Sequence, residues 1–271
     1  MFFVHLFKTA GVLLYPMGYS EKVDHQTHPW LAGWVIPGGR DIDPKFYNQP
    51  DQGSKFEGRE ASDRWWFTRH TIDNVDSRMP ILGICYGFQI LNCLFGGDMI
   101  QDLPGAQKNH YRFNQMELIG GESWLTKALP GATHMVGSCS HHQALGKIPD
   151  CFKVVAIDCR QGIPHAFEYV GTPKREIYAC IWHPEYTFID TRHTHTDPDN
   201  IAIFEWYIQR CKVFSEEFRT EPKVDPVPSQ ATKSQETAAS TANLGEVKES
   251  TQAVTGTGGH QSQLANQSEY F

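Results

Sequence analysis

The sequence predicts an α/β protein, a three-layer sandwich of helices around a mostly parallel sheet. Two observations carry this expectation. Short apolar runs of strand length recur at GWVIP (33–37), PILGI (80–84), KVVAI (153–157), HAFEYV (165–170) and YACIW (178–182). Between several of them lie longer stretches with apolar residues at helical spacing. No internal repeat is visible, so a stacked-repeat architecture is not expected.

Taken in order, the strand at 33–37 runs into Gly38-Gly39. A helix is expected from Glu60 to Val75, with Ala61, Trp65, Thr68 and Ile72 on one stripe. Its Trp65-Trp66 pair reads as packing onto the sheet. The strand at 80–84 leads to a helix that begins at Tyr86 and is stopped by Gly96-Gly97. Arg160-Gln161-Gly162 reads as a turn between two strands. A final helix is expected from Pro198 to about Phe214. Asp197 would cap it, Pro198 suits its first turn, and Ile201, Phe204, Ile208 and Cys211 share a face.

Composition limits the functions to consider. With 271 residues, 40% of them hydrophobic, the chain can bury a full core. Its net charge is -7 and no basic stripe occurs, so neither nucleic acid nor an anionic membrane is the expected partner. No apolar run reaches the roughly 18 residues of a membrane span. The opening MFFVHLFKTAGVLLYPMG carries Lys8 inside its apolar stretch and lacks a basic leader, so a secretory signal is not expected. The seven cysteines (Cys85, Cys93, Cys139, Cys151, Cys159, Cys180, Cys211) form no CxxC. Neither a disulfide framework nor a zinc spacing is indicated, and a reducing cytoplasm fits. Residues 1–216 are expected to form the folded domain. Residues 217–271, rich in Ser, Thr, Gln and Ala, read as a disordered low-complexity tail.

The candidate chemistry sits at ILGICYG. A buried strand entering a helix, with Cys85 at the junction, has the form of a nucleophile elbow. The sharp turn requires small residues two positions either side, and these are Gly83 and Gly87. The helix N-terminus would favour a thiolate at Cys85, and the Tyr86 N–H would face a developing oxyanion. Taken alone, the pattern fits a buried cysteine at a tight turn equally well. Two further segments add what a nucleophile needs. Gly38 and Gly39 could bring bare backbone to a substrate carbonyl. In WHPEY, His183 and Glu185 lie two apart, and in extended backbone they would face the same way, base and orienting carboxylate.

WVIPGGRDIDPKFY, PILGICYGFQILNCLFGGDMIQDL, SHHQAL and WHPEY occur in the order and spacing of the class I glutamine amidotransferase-like proteins. The chain resembles most their γ-glutamyl-γ-aminobutyrate hydrolase branch, over about Phe2 to Cys211. The resemblance implies a flavodoxin-like sandwich with Cys85, His183 and Glu185 as catalytic triad. It implies an oxyanion hole from the backbone of Gly39 and Tyr86, with Gly38 beside it. Gln89, Ser140, His141, His142 and Gln143 match positions lining a γ-glutamyl pocket. The implied reaction is hydrolysis of a small γ-glutamyl amide through a cysteine thioester, with no metal and no organic cofactor.

The chain departs from that pattern at three places. Tyr86 stands where the branch usually has Arg, and GSCS precedes the double histidine where relatives tend to have Asn-Ser. At the start, FFVHLFKTAG reads as the end of the first helix and VLLYPM as the second strand, leaving the first strand without a counterpart. The expectation is that the coding region extends upstream by a short strand-like run.

Other candidates carry less. His193, His195 and Asp197 read as a polar loop, and His110, His134 and His165 as isolated residues. A glutaminase passing ammonia to a separate synthase is the nearer alternative function. A non-catalytic regulatory protein on the same fold is the more distant one. The partner expected is a small γ-glutamyl substrate, with a homodimer as the oligomer to test.

Overall fold

The computed structural model describes residues 7, 10–104, 113–188 and 198–220, with side chains of 187 and 188 excepted. Its elements are β1 (Trp34–Ile36), α1 (Gly58–Asn74), β2 (Ile81–Ile84), α2 (Tyr86–Leu94), β3 (Met99–Ile100), β4 (Phe113–Leu118) and α3 (Trp124–Ala128). There follow β5 (His134–Ser138), β6 (Ala144–Leu145), β7 (Phe152–Asp158), β8 (Pro164–Tyr169), β9 (Ile177–Cys180) and α4 (Pro198–Thr220). Short 3₁₀ turns occupy Pro44–Tyr47 and Pro184–Phe188.

The main sheet has seven strands in the order β1-β2-β9-β8-β7-β4-β5. The pairs β1–β2 and β2–β9 are parallel. The remaining pairs are antiparallel, so β1, β2, β9, β7 and β5 point one way and β8 and β4 the other. The expected sandwich is therefore present, with its parallel pairing confined to one side.

Alternation along the strands builds a core on each face. Ile177 and Ala179 pack with Trp65 and Ile72 of α1 and Phe88 and Leu91 of α2. Leu82, Ile84, Tyr178 and Cys180 turn the other way, onto Trp124 and Leu125 of α3 and Ile203, Phe204, Tyr207 and Ile208 of α4. The stripe Ala61, Trp65, Thr68 and Ile72 is buried as its spacing predicts, whereas Trp66 is exposed. On α4, Phe204, Ile208 and Cys211 are buried and Ile201 is only half-buried. The helix continues through 217–220, beyond the expected boundary at 216. Asp197, His193, His195, His110 and the tail from 221 lie outside the described residues.

Residues 12–17, expected as a strand, form none. Leu13 is 90% exposed there, so this apolar run is not matched by burial. Of the preceding helix expected at 2–11, Phe7 is helical and most of the rest lies outside the described residues. β1 forms an edge of the sheet among the described residues. A cavity of about 800 Å³ runs beside it, lined by Leu31, Val35, Phe67, Tyr207 and Cys211 among others. Cys85 is not part of its lining. No helix among the described residues is long and apolar enough to cross a membrane.

Candidate active site

Cys85 stands between β2 and α2 with φ 52° and ψ -100°, in the positive-φ region that side chains other than glycine seldom occupy. Its backbone is held there from both sides. The Cys85 N–H donates to Cys180 O at 2.9 Å, and its carbonyl accepts from Gln89 N–H at 3.1 Å. The flanking glycines make the turn sterically possible. A Cβ on Gly83 would stand 2.7 Å from the backbone carbon of Gly87, and a Cβ on Gly87 would overlap the Ile36 carbonyl oxygen. Strained backbone of this kind persists only where its surroundings over-determine it, and here it presents a sulfur at a helix start.

His183 follows β9. Its N–H donates to Ser138 O at 2.8 Å, tying the end of the parallel side to the far edge strand β5. The ring makes a 2.7 Å hydrogen bond from Nδ1 to Glu185 Oε1, and Cys85 is its other electrostatic partner. Glu185 lies on the 3₁₀ turn Pro184–Phe188, so the two side chains meet through a helical turn and not through strand alternation. Both are buried. Burial favours the neutral imidazole, but hydrogen bonds and negative charge at Cys85 and Glu185 outweigh it and push His183 up to about 10. The two partners thus favour the charged form of the ring. The Tyr186 ring stacks on it, centroids 4.2 Å apart and 8° from parallel.

The loop after β1 closes the site. A Cβ on Gly38 would lie 2.8 Å from His183 Cε1, so glycine lets this backbone pass the His183 ring. Arg64 of α1, 7% exposed, braces the loop from behind. Its Nη2 donates to Pro37 O at 3.2 Å and Gly38 O at 3.4 Å. Its guanidinium lies 3.7 Å from the centre of the Tyr86 ring. A Cβ on Gly39 would overlap Arg64. Tyr86 is buried against this cation, which gives its side chain a packing role.

The segment from Ser140 to Gln143 is strongly cross-linked. His142 lies between two carboxylates, Nε2 2.9 Å from Asp41 Oδ2 and Nδ1 3.1 Å from Asp102 Oδ1. Burial raises the Asp41 carboxyl, while the Lys55 N–H and His142 oppose that shift. Gln143 Nε2 donates to Ser54 Oγ and Gln101 O, each at 3.1 Å. His141 Nδ1 lies 2.9 Å from Gln143 O. Gln89 is buried one turn beyond Cys85, and Ser140 is half-buried. The structure thus brings Cys85, His183, Glu185 and Gly38 together, sets Gly39 and Tyr86 against Arg64, and ties His142 and Gln143 into a polar network. Among the described residues, one group of metal-ligating side chains is close-set: Cys139, His141 and His165.

Arg64, Asp41, Asp102 and Tyr186 were not singled out by sequence reasoning. A signal existed for Arg64, since an arginine on the apolar side of an amphipathic helix is buried only with partners.

Residues 3–185 match the family model described as Peptidase C26. The chain belongs to the peptidase C26 family. The matched range holds Cys85, His183 and Glu185. This peptidase C26 chain is 32% identical over 168 residues to a Mycobacterium tuberculosis protein named as a glutamine amidotransferase, covering 60% of this chain and 53% of that protein. The match therefore spans about half of that relative's length. It is 27% identical to one component of the glutamine-hydrolysing GMP synthase of Methanopyrus kandleri, over 63% of this chain and 82% of the relative. A crystal structure of a Methylobacillus flagellatus glutamine amidotransferase shares the fold, with TM-score 0.52, 13% identity and 77% and 89% coverage.

Proposed function

We propose that this chain is a thiol hydrolase cleaving the side-chain amide of a small γ-glutamyl compound through a Cys85 thioester. The observation that carries this reading is Cys85, at φ 52°, facing a His183–Glu185 pair joined at 2.7 Å. A purely structural cysteine needs neither the strained backbone nor a histidine–carboxylate pair beside it.

In this mechanism the Cys85 thiolate attacks the amide carbonyl carbon, forming the S–C bond. The carbonyl electron pair moves onto oxygen, which the Gly39 and Tyr86 N–H groups face. The pair returns, the C–N bond breaks, and the departing amine takes the His183 proton. The neutral imidazole then removes a proton from water as it attacks the thioester. The S–C bond breaks and restores the Cys85 thiolate, His183 again carries its proton, and the γ-carboxylic acid leaves and gives its own proton to solvent. Glu185 keeps the ring in place and offsets its positive charge throughout.

The Arg64 brace supports the oxyanion assignment, because it fixes the carbonyls of Pro37 and Gly38 next to the Gly39 N–H. Preorganised donors of this sort are worth about 10²–10³ in rate. The small γ-glutamyl substrate class rests on the four-motif resemblance to the γ-glutamyl-γ-aminobutyrate hydrolase branch. The GMP synthase component to which the chain is similar favours a second reading, a glutaminase that delivers ammonia to a separate synthase.

A panel of γ-glutamyl-aminobutyrate, glutamine and folate polyglutamates, run beside Cys85→Ser, tests both readings. Amine release without any partner, abolished in Cys85→Ser, is the expected result. Glutamine hydrolysis seen only with an added synthase favours the second reading, and turnover unchanged in Cys85→Ser removes both.

A further inference from the structure

Cys139 and His141 follow β5 and His165 lies on β8, yet each offers a ligand atom within 4.8 Å of the others. All are buried, at 3%, 3% and 0% exposure. The backbone explains the meeting. Ile181 N–H donates to His165 O on β8, and His183 N–H donates to Ser138 O at the end of β5, both at 2.8 Å. The segment from Ile181 to His183 thus stitches the two donor-bearing stretches together beneath the catalytic base. Sequence spacing could not reveal this, because Cys139 and His141 are two apart and His165 belongs to another strand.

We propose that Cys139, His141 and His165 form a binding site for a borderline-soft divalent cation, with Zn²⁺ as the reference ion. The donor set is one thiolate sulfur and two imidazole nitrogens, the three-protein-ligand composition that leaves a fourth position for water. Tetrahedral coordination requires donor separations of roughly 3.5 Å, so the trio closes on the ion by about 1 Å. His141 is already arranged for this. Its Nδ1 is 2.9 Å from the Gln143 carbonyl oxygen, which can accept from the ring and fix its orientation. Orienting a ligating histidine through its other nitrogen in this way fixes both tautomer and ring plane.

The site is distinct from the Cys85–His183 pair, and the proposal stands whether or not the hydrolase reading does. Its test is Co²⁺ titration of the full chain after chelator treatment. One equivalent should bind with a thiolate-to-cobalt charge-transfer band, displaceable by Zn²⁺. Cys139→Ser should abolish the band and Cys85→Ser should keep it. His165→Ala should weaken Zn²⁺ binding by more than the roughly 10–100-fold that loss of a ligand's hydrogen-bond partner costs. X-ray absorption on the Zn²⁺-loaded wild-type protein needs no variant, and should count one sulfur and two imidazoles around the ion. Three results overturn the proposal: no binding, no sulfur around the ion, or a band lost in Cys85→Ser and kept in Cys139→Ser.

Discussion

The parallel strands β1, β2 and β9 differ in kind from the antiparallel strands β8, β7, β4 and β5 of the same sheet. Every residue of β2 and β9 is buried, whereas β4 and β5 alternate buried and exposed positions. The groups proposed to react all follow the parallel strands: Gly38-Gly39 after β1, Cys85 after β2, His183 after β9. Neighbouring parallel strands end on one side, so three chain segments distant in sequence meet there without a long loop. The antiparallel half contributes support. Ser138 holds the His183 backbone, and Cys139, His141 and His165 pack beneath it. Covering both faces of a strand fixes what its end presents, and that precision is what nucleophilic catalysis needs.

If that division is right, damage at the parallel ends should be severe and damage on the antiparallel faces slight. Cys85→Ala should lower turnover by roughly 10⁴–10⁶-fold without loss of fold, checked by kinetics beside circular dichroism. Glu185→Gln should cost roughly 10²–10⁴-fold. It removes a negative charge that raises His183, so the histidine loses its proton at lower pH. The alkaline limb of the rate profile should move down from about 10. An unmoved limb would mean that Glu185 does not set the charge on His183.

Backbone substitutions come next. Gly38→Ala forces a methyl group against His183 Cε1 and should lower turnover about 10²-fold through displacement of the ring. Gly87→Ala drives a Cβ into the Ile36 carbonyl and should cost about 1–3 kcal/mol in a denaturant titration. Arg64→Met should lower kcat roughly tenfold with little change in KM, because it loosens the oxyanion loop and removes the stack on Tyr86. At the other end of the scale, Val136 of β5 and Phe113 of β4 are 42% and 50% exposed. Val136→Thr and Phe113→Thr should each change stability by no more than about 0.5 kcal/mol and leave turnover alone.

The same contrast governs what could be read from sequence. Strands with several buried residues in a row appear as apolar runs, so 33–37, 80–84, 153–157, 165–170 and 178–182 are recognisable within a residue or two, β7 and β8 of the antiparallel half included. β4 (FNQMEL) and β5 (HMVGS) bury only alternate positions, and Asn, Gln, His and Ser among them mask the pattern. Cys85 was legible because its glycines are sterically required on both sides. The extended backbone expected between His183 and Glu185 is not found: Pro184 starts a 3₁₀ turn, so Glu185 reaches His183 by a helical turn. VLLYPM reads as a strand by hydrophobicity, yet a strand needs a paired neighbour as well as apolar side chains. Arg64, Asp41 and the Cys139–His141–His165 group depend on contacts across the fold, which local patterns do not encode.

The central claim is that Cys85, poised by His183 and Glu185, is the nucleophile. Its most direct test is intact-mass analysis and peptide mapping after exposure to a γ-glutamyl electrophile. One adduct per chain, on Cys85, formed more slowly in Glu185→Gln and absent from Cys85→Ser, is the predicted result. Labelling at Cys139 or another cysteine with Cys85 untouched, while the enzyme still turns over substrate, would contradict it.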